Sequence, residues 1–246
     1  MQIIPAFVTQ NKCYQAGAPL TPRGIMLHSV GTPQPSAAVF ARSFNQYQPG
    51  GVSVCVHAFA QADGTVYQTL PWEMRGWHCG GSANSTHIGV EMTEPSAGMT
   101  RSEAAEQIAG TYRAVVELFA ELCKQYELDP AQDGVIIGHA EGHRRGVASN
   151  HADPELLWRT YDMGYTMDGF RRDVAEAMKN GAREEALDMP RYDFVAEMPQ
   201  WARAGVQRLI DRGVLSGVGN GKLDLSLDMI RTMIVCQRML DEQKET

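Results

Sequence analysis

No apolar run in the 246 residues approaches the roughly twenty that a membrane-spanning helix needs. The opening MQIIPAFVTQNK lacks a basic start followed by an apolar stretch, so neither an export signal nor a membrane partner is expected. A basic face is missing too: 22 Lys+Arg stand against 29 Asp+Glu, a formal charge of -7. A grip on nucleic-acid phosphate needs such a face, so nucleic acid is not an expected partner. Cysteine is scarce, with five residues, an odd number, and no two of them are separated by two positions. That excludes a disulfide framework, a Cys-rich zinc knuckle and a thioredoxin-type pair. Cys13, Cys55, Cys79, Cys123 and Cys236 are expected to be reduced and packed as small apolar groups. With 43% hydrophobic and 21% charged residues, the chain has the makings of one sizeable domain plus a small appendage.

From residue 24 to about 160, short apolar stretches alternate with helical ones, the pattern of a mixed α/β domain. Gly24 to Val30, Val52 to Ala60, Thr65 to Leu70 and His87 to Met92 read as strands, and Ala62-Asp63-Gly64 as a tight hairpin. Ser36 to Tyr47 reads as a short helix. Ser102 to Tyr126 is the clearest long one, with Ile108, Tyr112, Val115, Val116, Phe119 and Leu122 at helical spacing. Val135-Ile136-Ile137, apolar without alternation, predicts a buried central strand. Composition changes near residue 180, where Asn180-Gly181 and Arg183-Glu184-Glu185 precede Met189-Pro190. This predicts a domain over 1–180 and a helix-loop-helix module over 190–246. In the module, Val206, Leu209 and Ile210 mark one helix and Gly217 to Gly221 a loop. Ser226 caps a second helix whose Met229, Ile230, Met233, Ile234 and Met239 supply core.

All seven histidines lie within the first 151 residues, several at strand ends. Imidazole is the commonest neutral metal ligand, and strand ends are rigid places from which distant side chains can converge. The segment from Gly138 to Pro154 is richest. It does not fit HExxH, because Glu141 is displaced by one and Gly142 weakens a helix. His139-Ala140-Glu141 matches the HxE of nucleobase deaminases, but no CxxC follows. A third arrangement takes His28 from the first strand, His139 from the end of the buried one and Asp153 from the loop beyond, leaving a fourth metal position for water. Spacing alone does not choose it. Taken singly, a histidine in an apolar strand is more often a hydrogen-bonded core residue.

The motifs Met26-Leu27-His28-Ser29, Asp63-Gly64-Thr65-Val66-Tyr67-Gln68 six residues after His57, Gly76-Trp77-His78-Cys79-Gly80, His87-Ile88-Gly89-Val90-Glu91, Ile137-Gly138-His139 and Asp153-Pro154 occur in a telling order. Over roughly residues 20 to 165 the chain resembles the type 2 family of zinc-dependent N-acetylmuramoyl-L-alanine amidases, which includes phage endolysins and is related to peptidoglycan recognition proteins. The resemblance implies a central mixed β-sheet flanked by helices and a hydrolase that cuts the amide between N-acetylmuramic acid and the L-alanine of the stem peptide in bacterial peptidoglycan. By the same resemblance His28, His139 and Asp153, the last followed by Pro154 and Trp158, would be the zinc ligands. Glu91 would be the catalytic carboxylate of the branch that lacks a tyrosine at Val56. Two residues before the aspartate the family usually has lysine, and here stands His151, whose imidazole would face the developing oxyanion. Histidine, unlike lysine, changes its charge near neutral pH.

Strand alternation puts His87, Gly89 and Glu91 on one face and Ile88, Val90 and Met92 on the other, so Glu91 can point into a cleft while its neighbours fill the core. A carboxylate in an apolar strand is costly to bury without purpose. His57, Trp72, Trp77 and His78 are expected to line the cleft and meet the substrate's sugar faces and amides. Arg144, Arg145 and Asn150 read as a solvated loop, the alternative being a hold for a substrate carboxylate. In the tail, Pro199-Gln200-Trp201-Ala202, Gly213-Val214-Leu215, Gly219-Asn220-Gly221 and Leu225 to Met229 resemble one S-layer-homology-like repeat, implying wall binding or self-association into a homo-oligomer. With no export signal, the expectation is a phage or prophage endolysin made in the cytoplasm and acting at the wall after release. The alternative is a non-catalytic peptidoglycan-binding protein on the same scaffold, which the presence of Asp153 disfavours.

Overall fold

The computed structural model describes residues 1–46, 54–188 and 191–242, with the side chains of 182–188 and 238–242 left out. Tyr47, Val52, Met189-Pro190 and the Met239 side chain therefore lie outside the described residues. The chain divides into two compact units, Met1–Asn180 and Gly181–Thr246.

Among the described residues of the first unit, six strands form one mixed sheet: β1 (Gln2–Pro5), β2 (Gly24–Ser29), β3 (Ala58–Ala60), β4 (Thr65–Gln68), β5 (His87–Met92) and β6 (Ile136–Gly138). Their order across the sheet is β1-β4-β3-β5-β2-β6. Only the β3–β4 hairpin is antiparallel; the other pairings are parallel. Helices α1 (Lys12–Ala16), α2 (Ala37–Phe44) and α3 (Arg101–Gln125) lie between these strands, and α4 (His139–Arg144), α5 (Glu155–Thr160) and α6 (Met167–Asp188) follow β6.

The long helix α3 starts where local chemistry tells it to. Thr100 and Glu103 form a capping box, the Glu103 carboxylate accepting from the Thr100 N–H at 2.8 Å. Its face carrying Ile108, Tyr112, Val115, Leu118, Phe119 and Leu122 is buried in the main core with Ile25, Leu27, Ile88, Val90 and Met92. Phe170 and Val174 of α6 join the same cluster. These alternate residues of β2 and β5 seal one face of the sheet, which leaves His28 and Glu91 on the other.

Two expectations need correction. The apolar run at Val135 to Ile137 is buried, but β6 is the edge of the sheet and not its centre. Absence of alternation reports that both faces are covered; it says nothing about whether both edges are paired. On its outer side the Ile136 carbonyl accepts from Arg171 Nη1 at 2.9 Å, and the Arg171 guanidinium also holds Glu141 at 2.9 and 3.1 Å. The strand expected from Val52 is shorter: Cys55 makes an isolated bridge to Trp77, and regular pairing begins at Ala58. Helix α6 runs without a break through Asn180-Gly181.

In the second unit, α7 (Gln200–Asp211) and α8 (Leu227–Glu242) pack around Met198, Ala202, Val206, Leu223, Leu225, Ile230 and Ile234. Gly205 permits their contact, since a Cβ there would stand 2.0 Å from the Ile234 Cδ1. Strands β7 (Arg191–Tyr192) and β8 (Leu225–Ser226) pair antiparallel, and Ser226 Oγ accepts from the Met229 N–H at 3.3 Å, capping α8. Met233 packs on this small core, whereas Met229 points to solvent.

Candidate active site

The parallel pairing of β2 and β5 sets His28 directly opposite Glu91. β6 pairs on the other side of β2 and delivers His139 at the first position of α4, which Glu141 caps by accepting from the Gly138 N–H. Asp153 arrives from the loop before α5, a helix anchored in the core by Leu157 and Trp158. Three chain segments far apart in sequence thus meet at the C-terminal end of two neighbouring strands.

The meeting is close. His28 Nδ1 lies 3.0 Å from His139 Nδ1 and 3.2 Å from Asp153 Oδ2, and His139 Nδ1 lies 3.6 Å from Asp153 Oδ1. Among the described residues this is the group placed to hold a metal ion. The edge of a tetrahedron with bonds of about 2.0 to 2.1 Å is about 3.3 to 3.4 Å, and these separations bracket it. The donor set, two imidazoles and one carboxylate, suits a borderline divalent ion such as zinc. His139 is oriented from behind: its Nε2 lies 3.3 Å from Ser149 Oγ, and that hydroxyl donates to the Cys79 carbonyl at 3.0 Å. The serine oxygen is thereby left to accept the Nε2–H, which turns the Nδ1 lone pair toward Asp153.

Electrostatics agree with geometry. Burial alone would raise the Asp153 carboxyl, but its hydrogen bonds to His139 and His28 outweigh this and hold it below the usual carboxylate range. Burial pushes His28 down, with Asp153 opposing. Glu91 is raised well above its ordinary value, first by burial and then by the nearby charges of Asp153 and Glu94. Its Oε2 is buried and has no hydrogen-bond partner among the described residues. An orphaned carboxylate oxygen beside a ligand cluster marks a functional group better than a structural one.

A cleft of about 920 Å³ opens over this cluster. His28, Glu91, His139, His151 and Asp153 line it, as do Trp77 and His78. His151 is largely exposed, with its ring stacked on His139 at 4.6 Å and its Nδ1 3.9 Å from Asp153 Oδ1. His57 and Trp72 do not line the cleft. Both are buried, with rings stacked at 6.4 Å; His57 Nε2 donates to the Met74 carbonyl at 2.7 Å and its Nδ1 accepts from the Gly89 N–H at 2.9 Å. They are packing residues beneath the site. Arg144, Arg145 and Asn150 also stay out of the cleft; Arg145 pairs with Asp133. Sequence reasoning overlooked Ser149 and Glu94. Glu94 also lines the cleft, accepting from Ser29 Oγ at 2.8 Å and from the Gly31 N–H at 2.9 Å. It lies beyond the end of β5, where alternation no longer assigns a face.

The match to known sequences decides the family. Residues 18–156, more than half of the chain, match the family model described as N-acetylmuramoyl-L-alanine amidase. The chain belongs to that family. Its fold is also that of solved structures: the catalytic domain of XlyA (22% identity, TM-score 0.52, 71% of this chain and 99% of that one) and the Staphylococcus aureus hydrolase AmiA in complex with its ligand (19%, 0.54, 72% and 82%). A mutant endolysin from Bacillus subtilis is similar as well (21%, 0.50, 71% and 99%). No curated relative matches the sequence. Among the described residues of the amidase, no helix is long and apolar enough to cross a membrane.

Burial beneath the site also makes the amidase acid-sensitive. His57 is pushed down to about 4 by burial, while in the unfolded chain it takes its proton near 6.5. Between those values the unfolded state binds the extra proton, so stability falls as pH drops from about 6.5 to about 4, by about 3 kcal/mol from this residue. Wild type should lose that much more over this window than a His57→Gln variant, read from urea unfolding at each pH. Parallel losses in the two proteins would contradict the assignment.

Proposed function

We propose that the chain is a zinc-dependent amidase that cleaves the bond between N-acetylmuramic acid and L-alanine in bacterial peptidoglycan and serves as a phage or prophage endolysin. One observation carries the reading: three acceptor atoms converge within 4.8 Å of one another, in the cleft that also holds the partnerless carboxylate oxygen of Glu91. His28, His139 and Asp153 are the residues that would hold the ion. Zinc bound there supplies Lewis acidity, polarising an amide carbonyl and making water acidic enough to attack near neutral pH.

The remaining work falls to the chain's own side chains. Glu91, with its free Oε2 and its raised affinity for a proton, takes the proton of the attacking water and returns it to the leaving alanine nitrogen. His151, exposed at the cleft and stacked on His139, donates to the oxyanion as the tetrahedral intermediate forms. Trp77 offers an aromatic surface to the glycan or stem peptide. Mass spectrometry of digested wall tests the reaction. Free stem peptides beginning at alanine, with intact glycan strands, are the expected products; new disaccharide ends would refute it.

The second unit is read as a wall-binding element. Its resemblance to one S-layer-homology-like repeat and the exposure of Phe194 and Trp201, aromatic surfaces suited to sugar faces, support this. Removing residues 190–246 should lower co-sedimentation with purified wall and leave cleavage of soluble muropeptides in place. Unchanged sedimentation would contradict the reading and turn attention to self-association.

A further inference from the structure

We propose that His78 is a positioning residue that fixes the ring tautomer of His28, so that His28 presents a bare Nδ1 to the cation. The inference rests on the metal-site reading above and assigns a task to a residue expected from sequence to meet substrate. The hydrogen-bond chain has one possible direction. It ends at the main-chain carbonyl of His87, which can only accept, and His78 Nε2 lies 3.2 Å from it. His78 Nε2 therefore carries the proton. A neutral imidazole has one N–H, so His78 Nδ1 is a lone pair. His28 Nε2, 2.9 Å away, must then be the donor. That leaves the Nδ1 of a neutral His28 without hydrogen, at the very point where it faces His139 Nδ1 and Asp153.

The ring of His78 is built in, not merely nearby. Its main-chain N–H donates to Asn84 Oδ1 at 2.9 Å, and its ring meets that of His28 edge-on at 5.1 Å. Gly89 leaves the space it fills, since a Cβ on residue 89 would stand 2.5 Å from His78 Cγ. Burial also keeps the ring neutral.

Without the acceptor at residue 78, His28 has a competing choice. Asp153 is a stronger acceptor than solvent or an apolar side chain, and a proton on Nδ1 would bond to it across the observed 3.2 Å. That proton occupies the position the cation needs and must be expelled on binding. Residues that orient a metal-ligating histidine are typically worth about 10- to 100-fold in metal affinity.

Two readouts test this on the full chain, neither relying on turnover. Imidazole 15N shifts of the metal-free protein at pH 8 should show His28 as the Nε2–H tautomer in wild type and shifted toward Nδ1–H in His78→Leu. Zinc affinity, measured by competition with a chelating dye, should fall about 10- to 100-fold in His78→Leu. It should stay near wild type in His78→Asn, whose Oδ1 replaces the lost acceptor. A wild-type His28 protonated on Nδ1, or a His78→Leu protein with unchanged tautomer and affinity, would overturn the proposal. If wild type bound no zinc, the metal-site reading would fail by itself, while the 15N shifts would still decide the direction of the chain. If the leucine variant did not fold, the wild-type spectrum would decide it.

Discussion

Glu91→Gln should lose about 100- to 10,000-fold in kcat on wall peptidoglycan while binding zinc as well as wild type does. The substitution keeps the shape of the side chain and removes its ability to carry a proton, so the loss, about 3 to 5 kcal/mol of transition-state stabilisation, belongs to proton transfer alone. Stability should move the other way. A carboxyl whose proton affinity is raised in the folded state costs stability at every pH above its ordinary value, and the cost grows until the folded group ionises. Relieving it should leave the metal-free thermal midpoint at pH 7 equal to or above that of wild type. Activity retained in Glu91→Gln would mean that the proton takes another path, with Glu94, the cleft's nearby second carboxylate, the first place to look.

His28→Ala should lose both zinc and turnover, and so should wild type after dialysis against a strong chelator. In wild type, activity should return in proportion to added zinc; in His28→Ala it should not. The reason is geometric: His28 makes the two closest approaches of the proposed ligand set, at 3.0 and 3.2 Å, and it is anchored within the sheet between β5 and β6. Its removal leaves only His139 and Asp153, one imidazole and one carboxylate 3.6 Å apart, two donors where a catalytic zinc site has three protein ligands. Metal content by atomic emission, followed by loss of wall turbidity before and after re-addition, measures this. A chelated wild type that still clears wall at full rate would contradict metal dependence.

Much of the site could be read from the chain because it sits on strands whose opposite faces differ. In β5 the alternation of Ile88, Val90 and Met92 with Gly89 and Glu91 specifies which side chains face the core, and His28 follows from its place in the neighbouring strand. The edge position of β6 was hidden because a strand's hydrophobic pattern carries no information on its edge neighbours. β1, four residues ending in proline, is too short and unalternating to announce itself. His57 and Trp72 were assigned to the cleft for their chemistry; what places them beneath it is the turn through Met74, whose carbonyl takes the His57 proton. Such a cover is a tertiary event without local signature. The approach of Asp153, fourteen residues after His139, was likewise carried by the family resemblance and not by spacing. Ser149 gave no signal, because a serine in a loop becomes an orienting group only once His139 and the Cys79 carbonyl stand on either side of it.

On the proposed reading, His28, His139 and Asp153 grip one zinc ion. X-ray anomalous scattering recorded above and below the zinc edge from crystals of the zinc-loaded full chain tests it directly. A single peak at bonding distance from His28 Nδ1, His139 Nδ1 and an Asp153 carboxylate oxygen, with Glu91 beside it and unbound, is the predicted result. A peak elsewhere, ligation through the Nε2 atoms, or Asp153 turned away from the ion would contradict it.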